Sequence, residues 1–251
     1  MARSDFDLSC CVSIGDVVFV GTDDAGIVRV GPDGTQQRLT GFDAVPGRDK
    51  WYAGAAIVDG KLVGPPLGIR SMAATCNGAV LLANVHVGGI PRSSDGGLTW
   101  RPTIDIDSDV HQVCAHPTRP EIVIAAAGAG FCMSRDAGAT WTIEQRGLHA
   151  HHCSAVAFGT NDIFVSASTD PFAAQGAVYR RPIDSNAPLQ PLGAGMPKWT
   201  DGRVDTDCIA TRDSVVALID GSGRLYVSQD DGVTWSCSSD RVDVPSGLHL
   251  C

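Results

Sequence analysis

The side chains best suited to chemistry in this 251-residue chain are its seven histidines and the aspartates and arginine near them. Six of the seven, His86, His111, His116, His149, His151 and His152, fall on or beside runs that read as β-strands. Imidazoles and carboxylates converging from different strands make a divalent metal site, and nitrogen ligands favour zinc or a related transition metal. The ligand set this predicts is His86, His111 and either His151 or His152, with Asp109 or Asp205 as fourth ligand or general base. Neighbouring residues on a strand point to opposite faces, so only one of His151 and His152 can serve. A catalytic version keeps one coordination position for water, whose pKa the metal lowers toward about 7. The competing reading is that these imidazoles bond strand ends and loop carbonyls or stand in solvent. His111-x-x-Cys114-x-His116 is no single site, because positions 111 and 114 face opposite sides of a strand. Arg70 is suited to a bidentate grip on a ligand carboxylate, or to neutralising Asp7 or Asp109.

Composition narrows the functions open to such a site. The chain has a net charge of −9 and no cluster of Lys and Arg, which argues against a phosphate backbone as partner. No apolar run reaches about 18 residues, so no membrane-spanning helix is expected. The start, Met1 to Asp7, turns acidic before any apolar run and lacks the pattern of a secretory signal, so the expected location is cytoplasmic. Nine cysteines without CxxC spacing, most in apolar runs as at Cys10, Cys11, Cys114, Cys153 and Cys208, read as reduced, buried small hydrophobes.

The elements that would position these residues announce themselves as a repeat. Ser93 to Trp100, Ser134 to Trp141 and Ser228 to Trp235 all fit S-x-D-x-G-x-T-W. In each, Asp accepts hydrogen bonds from the turn's own N–H groups, Gly takes a positive φ, and Trp packs between sheets. The pattern resembles the Asp-box, or BNR, repeat of sialidases, sortilin-type receptors, some glycoside hydrolases and photosystem assembly factors. That resemblance implies a β-propeller, with Asp95, Asp136 and Asp230 as structural turn residues and Trp100, Trp141 and Trp235 as packing residues. Sialidase chemistry would also imply an Arg triad, a Tyr/Glu pair and an Arg-Ile-Pro motif. The chain lacks that motif near its start and carries Arg70 alone on an inner strand, so sialidase activity is not expected.

Spacing gives the blade count. Asp95 and Asp136 are 41 residues apart and Asp136 and Asp230 are 94 apart, two units of about 47. Eroded copies fit at Val28 to Thr35 and Tyr179 to Asn186. The expectation is an all-β propeller of five four-stranded antiparallel blades, near 6–40, 70–103, 110–145, 151–192 and 205–240, with an inserted loop at 41–69. Six blades would need that insertion to form one. Stacking the inner strands places His86, His111, His149, His151 and His152 at one mouth of the channel. Trp51, Tyr52 and Trp199 sit in long loops there, to stack on a substrate ring or sugar face, or to plug the hole beneath their own loops. The leading expectation is a metal-assisted hydrolase or lyase acting on a small polar molecule. The alternatives are a non-catalytic binding or assembly propeller for a protein partner, and a glycan-binding or glycosidase-type propeller.

Overall fold

The computed structural model describes residues 7–54, 56–58, 61–63, 67–243 and 245–250. Met1 to Phe6, part of the inserted loop including Pro65 and Pro66, and the terminal Cys251 lie outside them. The chain is all-β, built from five antiparallel sheets of four strands. The first is β1 (Leu8–Ile14), β2 (Val17–Thr22), β3 (Ile27–Val30) and β4 (Gln36–Arg38). A one-turn helix α1 (Thr40–Asp43), a single 3-10 turn and a small hairpin of β5 (Ala56–Val58) and β6 (Lys61–Val63) fill the insertion. The second sheet is β7 (Ile69–Ala74), β8 (Leu81–Val85), β9 (Pro91–Ser93) and β10 (Arg101–Pro102). The third is β11 (Val110–Ala115), β12 (Val123–Ala127), β13 (Gly130–Ser134) and β14 (Thr142–Glu144). The fourth is β15 (His152–Phe158), β16 (Asp162–Ser168), β17 (Gln175–Pro182) and β18 (Gln190–Pro191), with β19 (Thr200–Asp201) added along β17. The fifth is β20 (Ile209–Arg212), β21 (Val215–Ile219), β22 (Leu225–Ser228) and β23 (Ser236–Ser239).

The chain divides into two compact units, residues 1–123 with 133–142, and 124–132 with 143–251. In the first, Phe19, Ile27, Phe42, Met72, Leu81 and Trp100 form one buried cluster contributed by the first two sheets and α1. In the second, Phe164, Val178, Val216, Leu218, Tyr226 and Trp235 do the same for the last two sheets. Strands covered on both faces lose the alternation of apolar and polar residues, which is why β8 (LLANV) and β12 (VIAAA) are buried throughout. No helix among the described residues is long and apolar enough to cross a membrane.

The octapeptide turns are built as their composition dictates. In the third, Asp230 accepts the Thr234 N–H at 2.8 Å and its hydroxyl at 2.6 Å, while Ser228 Oγ donates to Asp230 and accepts the Gly232 N–H. The same bonds recur around Asp95 and Asp136. The box glycine is required twice over. Gly232 has φ +80°, and a Cβ there would lie 2.6 Å from the Phe164 ring of the neighbouring sheet. Trp100 and Trp235 are buried and donate Nε1–H to the box glycine carbonyl; Trp141 is half-buried and donates to Thr103. Asp33, in the eroded first copy, closes a shorter turn onto Thr35 only two residues on.

These turns make an acid-sensitive element. Hydrogen bonds from Thr234 and then Ser228 hold the Asp230 carboxyl down at about 2 from an ordinary 3.8, and Asp95 is held at about 2 in the same way. A lowered carboxyl contributes stability above its unfolded pKa and loses it as pH falls through the folded value. Asp230→Asn should therefore lower the melting temperature at neutral pH, with the gap to the parent closing between about pH 4 and pH 2. Thermal denaturation across that range checks it, and a gap unchanged down to pH 2 would refute it.

Two expectations are corrected. The sequence reads as an inner strand from Asp205 to Thr211, but the first strand of the fifth sheet begins only at Ile209, because Asp205 to Cys208 form a turn closed by Cys208 N–H to Asp205 O at 3.0 Å, with Asp207 at φ +58°. The described cysteines form no disulfide and are not uniformly buried. Cys132, Cys153 and Cys208 are buried, whereas Cys11, Cys76 and Cys237 are exposed. Burial pushes the Cys132 thiol up to about 12 and, helped by Asp205, Cys208 to about 11. The three buried thiols are packing groups rather than nucleophiles.

Candidate functional site

Three chain segments run side by side in the first unit. Tyr52 pairs with Val87 and Val87 with Asp109, and the Val110 N–H donates to the His86 carbonyl at 2.8 Å. His86 follows the end of β8, and Asp109 and His111 straddle the start of β11. This pairing brings His86 Nε2 to 2.9 Å and His111 Nε2 to 3.2 Å from Asp109 Oδ1. The three ligand atoms all lie within 4.8 Å of one another. In a tetrahedral zinc site with bonds of about 2.0–2.1 Å, adjacent ligand atoms are about 3.3 Å apart. The two spacings to Asp109 Oδ1 fall at or a little below that value.

Asp109 Oδ1 is buried, with both imidazole nitrogens facing it. A cation among the three side chains is one partner that would satisfy it. Burial pushes the Asp109 carboxyl up, but His111 and His86 beside it pull harder the other way. It stays well below the usual carboxylate range and is ionised, as a metal ligand must be.

The second nitrogen of His86 fixes its role. Nδ1 is 2.7 Å from the Ala53 carbonyl, which can only accept, so Nδ1 carries a hydrogen, and in the neutral ring Nε2 is the nitrogen open to a metal. Support of this kind from outside the ligand set orients a metal-binding imidazole and sets its tautomer. Gly54 completes the support. At φ +64° it lies so close to the ring that a Cβ would sit 2.5 Å from His86 Cε1. Gly54→Ala should weaken metal binding by about 10- to 100-fold, as loss of such support does elsewhere, without unfolding the sheets. Cobalt titration alongside circular dichroism checks this, and unchanged affinity would show that the cradle has no such part.

Arg70 reaches the site through an irregularity in the sheet. Ile69 pairs with Val85 and Ser71 with Asn84, so Arg70 is the extra residue of a β-bulge, a device that re-aims a side chain. Its guanidinium Nη1 lies 3.1 Å from His86 Nε2.

Of the other residues singled out from the sequence, all but Tyr52 lie apart from this cluster. Among the described residues, the cluster within metal-binding reach comprises His86, Asp109 and His111, without His151, His152 or Asp205. His151 is exposed, with Nδ1 2.8 Å from the Gly128 carbonyl, and His152 opens β15 as a buried residue. Asp205 pairs with Arg203 at 2.6 Å. His116 accepts the Thr118 and Arg119 N–H groups, a loop-closing role. Trp51 is buried, its ring 5.5 Å from Phe42 with the Arg48 guanidinium over it, so its face is taken up by packing. Tyr52 is exposed beside the cluster. Trp199, in the second unit, lines a cavity of about 560 Å³ with His149, Thr169, Gln175 and Asp201. There His149 packs edge-on to Trp199 at 4.7 Å and hydrogen-bonds Tyr179, and burial holds its imidazole below the ordinary histidine value. Ala53 and Gly54 were not foreseen, and no motif marks them.

No family model matches the chain, and no curated protein does. Its fold is similar to solved structures. A GH74 enzyme of Niastella koreensis aligns over 92% of this chain and 38% of its own, with a TM-score of 0.63 at 11% identity. The GH74 xyloglucanase of Xanthomonas campestris aligns over 89% and 36%, with a TM-score of 0.58 at 16% identity. A structure of YCF48 bound to D1 peptide aligns over 100% and 72%, with a TM-score of 0.59 at 16% identity. The chain spans little more than a third of the length of the GH74 structures, and at these identities the likeness is one of fold.

Proposed function

We propose that the five sheets are the blades of a propeller that binds a divalent transition metal, zinc foremost, through His86, His111 and Asp109, and that it acts as a metal-assisted hydrolase or lyase on a small polar molecule. The observation that carries this reading is the cluster itself: three potential ligand atoms within 4.8 Å of one another, with two imidazole nitrogens facing one buried carboxylate oxygen at 2.9 and 3.2 Å. Three protein ligands leave a fourth position for water or substrate, as catalytic zinc sites do. A metal held there supplies a water of lowered pKa and a Lewis acid. The chain's own residues do the rest: Ala53 and Gly54 orient His86, and Arg70 stands where a substrate's negative charge would be met. The test is elemental analysis of purified protein with hydrolase and lyase assays before and after chelation. One metal ion per chain, with activity lost on chelation and restored by zinc, supports the reading; less than stoichiometric metal after zinc loading, or full activity after chelation, rejects it.

A second reading, recognition without chemistry, is favoured by the Trp199 cavity, which an indole, an amide, a hydroxyl and a carboxylate line. The similar structures include both a xyloglucanase and a protein bound to a peptide, which suits a glycan or a peptide there. A glycan array and a partner pull-down, each compared with Trp199→Ala, test it.

A further inference from the structure

We propose that the cluster takes an oxyanion, a carboxylate or phosphate group, as its second ligand, and that Arg70 couples binding of that anion to binding of the metal. The inference rests on the metal reading above. With the His86 Nδ1 hydrogen committed to the Ala53 carbonyl, the Nε2 lone pair is the one acceptor the ring has left. A guanidinium can only donate, so Arg70 Nη1, 3.1 Å away, occupies that lone pair. A metal needs the same lone pair. Arg70 and the metal therefore exclude one another at Nε2, and Arg70 acts as the resident cation of the metal-free site.

Charge balance selects the second ligand. Without metal, the Arg70 and Asp109 charges offset each other. A divalent ion raises the local balance to two positive charges and drives the guanidinium off Nε2, where the two imidazoles are shielded from water, at 5% and 13% exposed, although the Asp109 side chain is 40% exposed. An oxyanion on the fourth coordination position relieves both effects. It neutralises the excess charge and offers the displaced guanidinium a planar pair of acceptors matched to its fork. The bulge keeps Arg70 beside His86, its Nη1 3.1 Å from Nε2, where its fork would meet an anion bound at the cluster. By linkage, the anion then tightens the metal by the same factor as the metal tightens the anion.

Cobalt titrations of the intact protein, followed by absorption, test this with chloride as reference, acetate in one arm and methylphosphonate in the other. In the parent protein at least one of the two anions should raise cobalt affinity by about tenfold, within the usual range of coupling between ligands. The arm that responds distinguishes carboxylate from phosphate. Arg70→Met should bind cobalt at least as tightly as the parent in chloride and lose the anion effect. Arg70→Lys, which keeps the charge without the fork, should retain a weaker one and serves if the Met variant does not fold. Cobalt binding to the parent with no response to either anion would overturn this inference while leaving the metal reading standing, as would an Arg70→Met variant that keeps the response. Failure of the parent and the variants alike to bind cobalt would overturn both.

Discussion

Replacement of His111 by Ala should abolish stoichiometric metal binding while the five sheets remain folded. His111 is the second residue of β11, and its ring is 4% exposed against that of His86, with centroids 5.5 Å apart. Removing it leaves one imidazole and one carboxylate, too few protein ligands for a catalytic zinc site. Loss of a supporting residue alone weakens metal sites by about 10- to 100-fold, so loss of a ligand should weaken this one by more than about 100-fold. The strand should survive, because β11 is held by its neighbours and by a Val113 N–H bond to Ser71 rather than by the imidazole. Asp109→Asn is the sharper companion. It preserves shape but removes the charge that offsets the metal, and it should also lose the metal while melting close to the parent. Metal per chain after gel filtration, with circular dichroism, reads both variants. Retention of parental affinity by His111→Ala would remove the basis for the site.

How far the sequence could disclose this arrangement depended on how local each interaction is. The octapeptide turns were legible because every bond in them spans two to four residues, as from Ser228 to Asp230 and from Thr234 to Asp230. Their regular spacing then carried the strand pattern and the count of sheets. Asp109, His111 and His86 were legible as chemistry-bearing residues, but not as a set separate from His151, His152 and Asp205. What joins the three is the lateral pairing of Tyr52, Val87 and Asp109, and no motif announces pairing between segments that far apart. The same holds for Ala53, whose carbonyl meets a ring 33 residues away, and for the bulge that turns Arg70 toward it. Asp205 was misplaced for a local reason: a turn residue at positive φ, Asp207, interrupts what reads as continuous strand.

Arg181 was less legible still, and the second large effect lies there. It lies in an eroded copy of the repeat, between Arg180 and Pro182, in an outer-strand position, and its side chain is only 1% exposed. It donates to Glu144 at 2.7 and 3.4 Å and to the Ala187 carbonyl at 3.1 Å, with its guanidinium carbon 5.7 Å from the centre of the Phe131 ring. It thereby ties β17 to β14 and β13 within the second unit. Breaking a buried pair from one side costs about 3–5 kcal/mol, because the remaining charge loses its partner. Arg181→Met should fall near the lower end, about 3 kcal/mol, because water can reach Glu144, whose side chain is 20% exposed. Against a typical total of about 5–15 kcal/mol this is a large loss. Adding Glu144→Gln should recover part of it, since the double variant leaves no charge unpaired. Acid supplies an independent check. Hydrogen bonding to Arg181 first, and its charge with that of Arg146 after burial's opposing push, hold the Glu144 carboxyl below its ordinary 4.5. That contribution is complete above about pH 4.5 and disappears as pH falls through the lowered value, so the gap between parent and Arg181→Met should narrow below pH 4.5. Urea unfolding at pH 7 and pH 3 measures both effects. A gap of the same size at the two pH values would mean that Arg181 stabilises the unit through packing against Phe131 and the Ala187 carbonyl rather than through its charge.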